Sequence, residues 1–213
     1  MISTEPDGRL LAVGDIHGCR SLLDELLEEV APEDRDQLVF LGDYVDRGPD
    51  SRGVIERLLE LRDRWPQTVF LRGNHEQMFL DYLEDRQRLP FLINGGQTTL
   101  ESYGGGSMPA IPDRHRDFLN SLPTSYVRGD FIFVHAGLRP GTPLADQDEE
   151  DLLWIRGEFL DSDFDWGKTV VFGHTHLEKP FVAERRIGVD TGAVYGKVLT
   201  CCDVRSRRFW QVG

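Results

Sequence analysis

Leu10-Leu-Ala-Val-Gly-Asp-Ile-His-Gly18 sets four apolar residues directly against a glycine-bounded turn that carries one carboxylate and one imidazole. A short apolar run bounded by glycine reads as a buried strand. Behind it, Leu22, Leu23, Leu26, Leu27 and Val30 recur at helical spacing and line one face. The same order returns twice. Leu38–Leu41 runs into Gly42-Asp43, and Pro49 and Asp50 then open a helix bearing Val54, Ile55, Leu58, Leu59 and Leu61. Thr68–Leu71 runs into Gly73-Asn-His-Glu76, followed by a helix through Met78, Phe79, Tyr82 and Leu83. These repeated strand–turn–helix units predict βαβ connections and a largely parallel sheet. In such sheets ligands bind beyond the carboxyl ends of the strands, where these polar turns lie.

From Leu89 to Gly106 the pattern breaks at Asn94-Gly-Gly-Gln97 and Gly104-Gly-Gly106, which reads as a substrate-facing excursion. Helical signals resume at Pro112–Leu122. Tyr126–Val134, Thr169–Phe172, Phe181–Ala183, Val198–Cys202 and Arg208–Val212 are short strand candidates separated by turns. A βα half followed by a β half predicts an α/β fold in one domain over residues 1–213: two β-sheets packed together and flanked by helices.

Composition narrows the function classes. No apolar run approaches the ~18 residues that span a bilayer. The opening Met-Ile-Ser-Thr-Glu-Pro-Asp lacks the basic and apolar blocks of a secretory signal, so a cytoplasmic location is expected. With 24 basic against 37 acidic residues the net charge is −13, which repels nucleic acid and argues against it as a partner. A metal or local cations can still invert that field at one site. Cys19, Cys201 and Cys202 form a poor disulfide framework and fit free thiols in a reducing compartment.

Asp15, His17, Asp43, Asn74, His135 and His174 each fall at or just after a predicted strand end. A nitrogen and oxygen donor set without thiolate suits manganese, iron or zinc. Six donors exceed what one catalytic zinc takes from protein. They suit two metals sharing one carboxylate, ~3.5–4 Å apart, as in phosphoester displacement. Singly, a strand-end aspartate is more often a helix cap and a histidine more often structural. Six at one sheet edge reverse those odds.

Gly14-Asp-Ile-His-Gly18, Gly42-Asp-Tyr-Val-Asp-Arg-Gly48 and Gly73-Asn-His-Glu76 resemble the three signature motifs of the phosphoprotein phosphatase family of metallophosphoesterases, and His135-Ala-Gly137 and Gly173-His-Thr175 resemble its two later histidine motifs. The likeness spans nearly the whole chain and is greatest to small bacterial and bacteriophage-lambda-type serine/threonine phosphatases. It implies a metallophosphoesterase sandwich with two divalent ions, manganese foremost. Asp15, His17 and Asp43 would hold one ion, and Asp43, Asn74, His135 and His174 the other. His75 would be the general acid oriented by Asp46, with a metal-bridging hydroxide attacking in line. Arg47, Arg156 and Asn74 would bind the phosphate. The substrate implied is a phosphorylated protein or peptide, with no membrane or regulatory subunit. A symmetrical dinucleoside tetraphosphate hydrolase, cleaving diadenosine tetraphosphate to ADP, uses similar motifs and is the alternative; a non-catalytic phosphopeptide-binding module is the remote one. His135-Ala-Gly137 departs from the His-Gly-Gly of eukaryotic members, which puts a methyl at position 136.

Weaker features have bland expectations. His176 and His115 are expected at the surface. Asp190-Thr-Gly192 fits a tight turn as well as a site wall, and Tyr195 is a candidate substrate contact. The acidic run Asp146–Asp151 reads as a solvated loop that would favour basic peptides if it rims the site. The tryptophans read as packing, with Trp154 beside Arg156 the exception.

Overall fold

The computed structural model describes residues 8–213; the N-terminal heptapeptide read above for a targeting signal lies outside them. The first half runs β1 (Leu10–Val13), α1 (Arg20–Val30), β2 (Gln37–Phe40), α2 (Ser51–Arg64), β3 (Val69–Phe70), α3 (Asn74–Leu83), α4 (Arg88–Phe91), α5 (Gln97–Ser102) and α6 (Asp113–Asn120). The second runs β4 (Ser125–Arg128), β5 (Phe131–Val134), α7 (Glu149–Trp154), α8 (Gly157–Leu160), β6 (Thr169–Phe172), β7 (Phe181–Val182), β8 (Arg186–Gly188), β9 (Leu199–Asp203) and β10 (Arg208–Val212). Among the described residues no helix is long and apolar enough to cross a membrane.

The strands form two five-stranded sheets, ordered β10-β9-β1-β2-β3 and β4-β5-β6-β8-β7. Strands β1, β2 and β3 are parallel, as are β5, β6 and β8. The period of two in each strand builds the layers. Leu10, Ala12 and Val39 point between the sheets to meet Phe133, Val171 and Ile187. Their neighbours Leu11, Val13, Leu38 and Phe40 pack under Leu23, Leu26, Val54 and Leu58 of α1 and α2. On the far side Ile132, Val134, Val170 and Phe172 lie under Leu152, Ile155 and Phe159. The result is the helix–sheet–sheet–helix sandwich expected.

Four local expectations need correction. Strands β9 and β10 join the first sheet: crossovers through α1 and α2 build that sheet away from one edge of β1, and this last hairpin pairs with it. Tyr126–Val134 is a hairpin turning at Gly129, where φ is 54°, and β8 is a three-residue strand too short to show a pattern. The stretch 89–106 is mostly helical: α4 and α5 are joined by one wide turn, kinked at Gly95 with φ 98°. Finally, His115 is fully buried, between the Tyr103 hydroxyl at 2.8 Å and Glu56 Oε1 at 2.8 Å. Its charged neighbours Arg114 and Arg116 suggest a surface, but i, i+3, i+4 spacing puts His115 with Phe118 and Leu119 on the inner face.

The start of β1 is tied to the chain preceding β2 by one buried carboxylate. Asp36 accepts from the Arg9 backbone N–H at 2.8 Å, Arg9 Nε at 3.1 Å and the Glu33 N–H at 2.9 Å. Burial alone would raise the Asp36 pKa, but the Arg9 guanidinium and these N–H groups outweigh it and hold the carboxyl below its ordinary value. A depressed folded-state pKa gives stability that is full above the unfolded value of about 4 and lost as pH falls through the folded value. Asp36→Asn is therefore expected to cost about 1.5–3 kcal/mol at pH 7. In urea unfolding the gap from the parent should narrow below about pH 4; a gap independent of pH would contradict the charge argument.

Candidate active site at the strand carboxyl ends

The six parallel strands deliver the polar residues to one edge of the sandwich. Beyond β1 lie Asp15 and His17, beyond β2 Asp43, and beyond β3 Asn74 and His75. From the second sheet come His135 after β5, His174 after β6 and Asp190 after β8. His17, Asp43, Asp46, Arg47 and His174 all have positive φ, between 46° and 73°. A left-handed non-glycine residue costs of order 1–3 kcal/mol unless its surroundings hold it there.

Hydrogen bonds supply that hold. The Ile16 and His17 N–H groups donate to the Asp43 carbonyl at 3.0 and 2.8 Å, locking the first two turns together. The buried Glu76 carboxylate accepts from the N–H groups of Asp43 and Tyr44 at 2.8 Å and of Gly73 at 2.9 Å. Glu76 thereby fixes the Asp43 turn to the start of α3, a role that sequence reasoning missed. Its only sequence signal is its place three residues after Gly73, the N3 position of a capping box. Two glycines make room for carboxylates: a Cβ at Gly73 would lie 2.2 Å from Asp43 Oδ1, and one at Gly173 would lie 2.3 Å from Asp15 Oδ1. The methyl of Ala136, in contrast, is absorbed by the outer core beside Leu138 and Leu152, so the departure from His-Gly-Gly fits.

Asp43 stands between two groups of histidines. Its Oδ1 is 3.4 Å from His135 Nε2, and its Oδ2 is 3.4 Å from His17 Nε2 and 3.9 Å from His75 Nε2. On the His135 side, Nε2 lies 2.9 Å from Asn74 Oδ1 and 3.2 Å from His174 Nδ1. Two sets of ligand atoms are close enough to hold an ion each: His17, Asp43 and His75, and Asp43, His135 and His174. The second set matches the expected donors, with Asn74 beside it. In the first, His75 stands where Asp15 was expected. Both Asp15 oxygens accept instead from the His174 N–H, each at 3.1 Å.

The protonation states suit ligation. Burial lowers the His17 imidazole to about 3 and that of His174 to about 2, and lowers His135 as well, so the three present neutral lone pairs. Burial alone would raise the Asp43 carboxyl, but His135, His75, His17 and His174 around it hold it well below the carboxylate range. Burial raises Asp15, with Asp190 and Asp43 adding to the shift, and raises Asp190 to about 6. His17 and His135 direct their Nδ1 atoms at the carbonyls of Val45 and Leu41, both at 2.8 Å, which turns Nε2 toward Asp43. The His174 Nε2 atom is buried with no hydrogen-bond partner. A shared carboxylate between neutral imidazoles, with His174 turning Nδ1 toward His135 Nε2, is a donor set that fits two divalent cations.

The remaining expected residues surround this centre. His75 Nδ1 meets Asp46 Oδ2 at 2.6 Å, both side chains being buried. Arg47 Nη1 donates to His17 Nε2 at 2.6 Å, and its guanidinium lies 5.7 Å from the Tyr195 ring centre. Arg156 Nη1 donates to the His174 carbonyl at 3.1 Å. Asp15, Arg47, Arg156, Asp190 and Tyr195 line one cavity of about 40 Å³ with His17 and His174. Asp190 is both things expected of it, a turn that accepts the Gly192 N–H at 2.9 Å and a buried wall of the cavity. His176 is exposed at the same mouth, 5.1 Å from Tyr195 between ring centres.

Known proteins share this architecture. The serine/threonine-protein phosphatase 1 of Salmonella typhimurium is 34% identical, over 91% of this chain and 90% of its own. A bis(5'-nucleosyl)-tetraphosphatase PrpE, of the asymmetrical kind, from a Geobacillus species is 27% identical over 88% of this chain and 87% of its own. A solved structure of a candidate diadenosine tetraphosphatase superposes with a TM-score of 0.77 at 27% identity, covering 100% of this chain and 95% of that one. The profile of the calcineurin-like phosphoesterases matches residues 8–178. The chain therefore belongs to the calcineurin-like phosphoesterase family and is a phosphoric ester hydrolase.

Proposed function

We propose that the chain is a two-metal phosphomonoester hydrolase, acting as a single domain on proteins phosphorylated at serine or threonine. The observation that carries the chemistry is the buried Asp46–His75 pair, closed at 2.6 Å, with His75 Nε2 turned toward Asp43. Asp15, His17 and Asp43 would hold one divalent ion and Asp43, Asn74, His135 and His174 the other, with manganese the expected species and iron or zinc the alternatives. When bound, such a pair lowers the pKa of water and offsets charge on the phosphoryl oxygens.

The side chains supply the rest. Arg47 and Arg156 present planar forks that match phosphate oxygens, and Asn74, beside His135, is the third phosphate contact of this reading. As the ester bond breaks, the leaving alkoxide takes its proton from His75 Nε2 while Asp46 holds the opposite nitrogen. Burial alone would lower the His75 pKa, but Asp43 and Asp46 outweigh it and raise the imidazole above its ordinary value, which favours the protonated acid. No bond from substrate to protein is needed. The free thiols Cys19, Cys201 and Cys202 support a reducing, cytoplasmic setting.

Charge supports a phosphoprotein substrate. A depression of about 580 Å³ opens beside Arg156 and is walled by Asp148, Glu150, Asp151 and Glu158, with Arg139 and the half-exposed Trp154. Arg139 pairs with Asp151, at 2.5 Å, and Glu158, at 2.7 Å, and the four carboxylates outnumber Arg139 and Arg156, leaving the wall net acidic. Basic residues flanking a phosphosite are attracted to such a wall, whereas a tetraphosphate is repelled.

The second reading is a dinucleoside tetraphosphatase, favoured by the PrpE relatives and the superposed structure. Those relatives are named asymmetrical, so ATP with AMP joins ADP among the products to watch. A competition assay separates the readings. Chelator-treated protein is reloaded with manganese and given a phosphothreonine peptide and diadenosine tetraphosphate together, with chromatography of the products. Preferential release of phosphate from the peptide is expected. Preferential appearance of ADP, or of ATP and AMP, would overturn the phosphoprotein assignment.

A further inference from the structure

We propose that Thr99 is a positioning residue for the general acid, and that residues 95–99 form the clamp holding Asp46 and Arg47 in their working conformations. The inference rests on the reading of His75 as the acid. It starts from hydrogen-bond accounting at a carboxylate with no exposure to solvent. Asp46 Oδ2 accepts from His75 Nδ1 at 2.6 Å, and Asp46 Oδ1 accepts from the Thr99 hydroxyl, also at 2.6 Å. The Asp46 backbone N–H in turn donates to Thr99 Oγ1 at 2.8 Å and to Ser51 Oγ at 3.0 Å. Ser51 and Thr99 oxygens lie 2.9 Å apart. With the single Thr99 hydrogen on the carboxylate, the Ser51 hydrogen bridges the two hydroxyls, and the Asp46 N–H is shared between their two oxygens. Thr99, Ser51 and His75 are all buried, so no water takes over a missing partner.

The same segment holds the backbone. Asp46 and Arg47 are consecutive left-handed residues, at φ 73° and 68°. The Arg47 N–H donates to the Gly95 carbonyl at 3.1 Å. Gly95 has φ 98°, and a Cβ there would lie 2.8 Å from Arg47 Cγ. One short stretch, from the kink before α5 to its third residue, thus grips the orienting carboxylate and the arginine together. Without the Thr99 hydroxyl, Asp46 Oδ1 has no side-chain donor among the described residues, the carboxylate is free to rotate about its Cβ–Cγ bond, and the His75 ring loses its fixed orientation.

The test compares leaving groups in the manganese-loaded enzyme. Thr99→Val keeps the shape and removes the hydroxyl; Thr99→Ser keeps the hydroxyl. For Thr99→Val, kcat on a phosphothreonine peptide should fall about tenfold, a part of the 10²–10⁴ that a placed acid supplies, while kcat on p-nitrophenyl phosphate changes by less than about twofold. Thr99→Ser should restore the peptide rate. If valine prevents folding, Thr99→Ala carries the same comparison without its bulk. A readout independent of activity is the downfield Nδ1–H proton resonance of His75 in zinc-loaded protein, which should broaden or vanish in Thr99→Val and persist in Thr99→Ser. Equal losses on both substrates, or an unchanged peptide rate and resonance, would overturn the inference. His75→Asn, run alongside, separates the two failures: if it also lacks leaving-group selectivity the acid reading falls, and if it alone shows selectivity only the Thr99 role falls.

Discussion

Asp43→Asn is expected to empty both metal positions at once and to remove turnover with them. Among the described residues Asp43 is the one carboxylate within 4 Å of histidines on both sides, at 3.4 Å from His17 and 3.4 Å from His135. Losing a partner that merely orients a ligand costs 10–100-fold in metal affinity, so losing charge from a shared ligand should cost at least about 100-fold at each position. The fold should survive, because the substituted amide keeps an oxygen to accept the His75 N–H and leaves the backbone bonds to Glu76, Ile16 and His17 in place. The measurement is metal content per chain after dialysis, with the melting temperature as a control on folding. Two tightly held ions in a folded Asp43→Asn protein would break the shared-ligand assignment.

His75→Asn is expected to separate acid catalysis from metal binding. On an alkyl phosphate, whose alkoxide leaves poorly, kcat should drop by about 10²–10⁴; on an aryl phosphate the loss should stay below about tenfold. The structure makes the metal half of this prediction a sharp one, since His75 lies with His17 and Asp43 in one of the two ion-sized clusters. Its Nδ1 is taken by Asp46, however, and its Nε2 is farther from Asp43 than that of His17. Metal content should therefore be unchanged. A halved metal content would make His75 a ligand and send the search for the acid elsewhere; equal rate losses on both esters would remove its proton-donor role.

Much of this was legible in the chain because parallel strands end where their residues say they end. A buried apolar run followed by glycine and one polar residue locates a strand terminus, and a parallel sheet brings every such terminus to the same edge. Asp15, Asp43, Asn74 and His174 could be collected on that rule, and His135 as the first polar residue directly after its apolar run. Local periodicity likewise located α1, α2 and α3, whose inner faces are long enough for the repeat to register. It failed for β8, too short to carry a pattern, and for His115, whose charged neighbours hid an inward-facing position.

What only the tertiary structure decided are the contacts between residues far apart in the chain. Glu76 fixes the Asp43 turn from the next helix, Thr99 reaches Asp46 across 53 positions, and β9 and β10 return to pair with β1. The glycine-rich stretch between 89 and 106 reads as an interruption because its composition disfavours a helix, yet it folds as two short helices against the site. Its fate turns on long-range partners: Gly96 packs on the Phe91 ring, Gly95 accepts from Arg47, and Thr99 is enclosed with Asp46. Sequence alone determined which chemistry gathers at the strand ends, since period and termination are local properties of the backbone. How those groups are aimed depends on buried hydrogen bonds, whose partners are chosen by packing and leave no repeat to read.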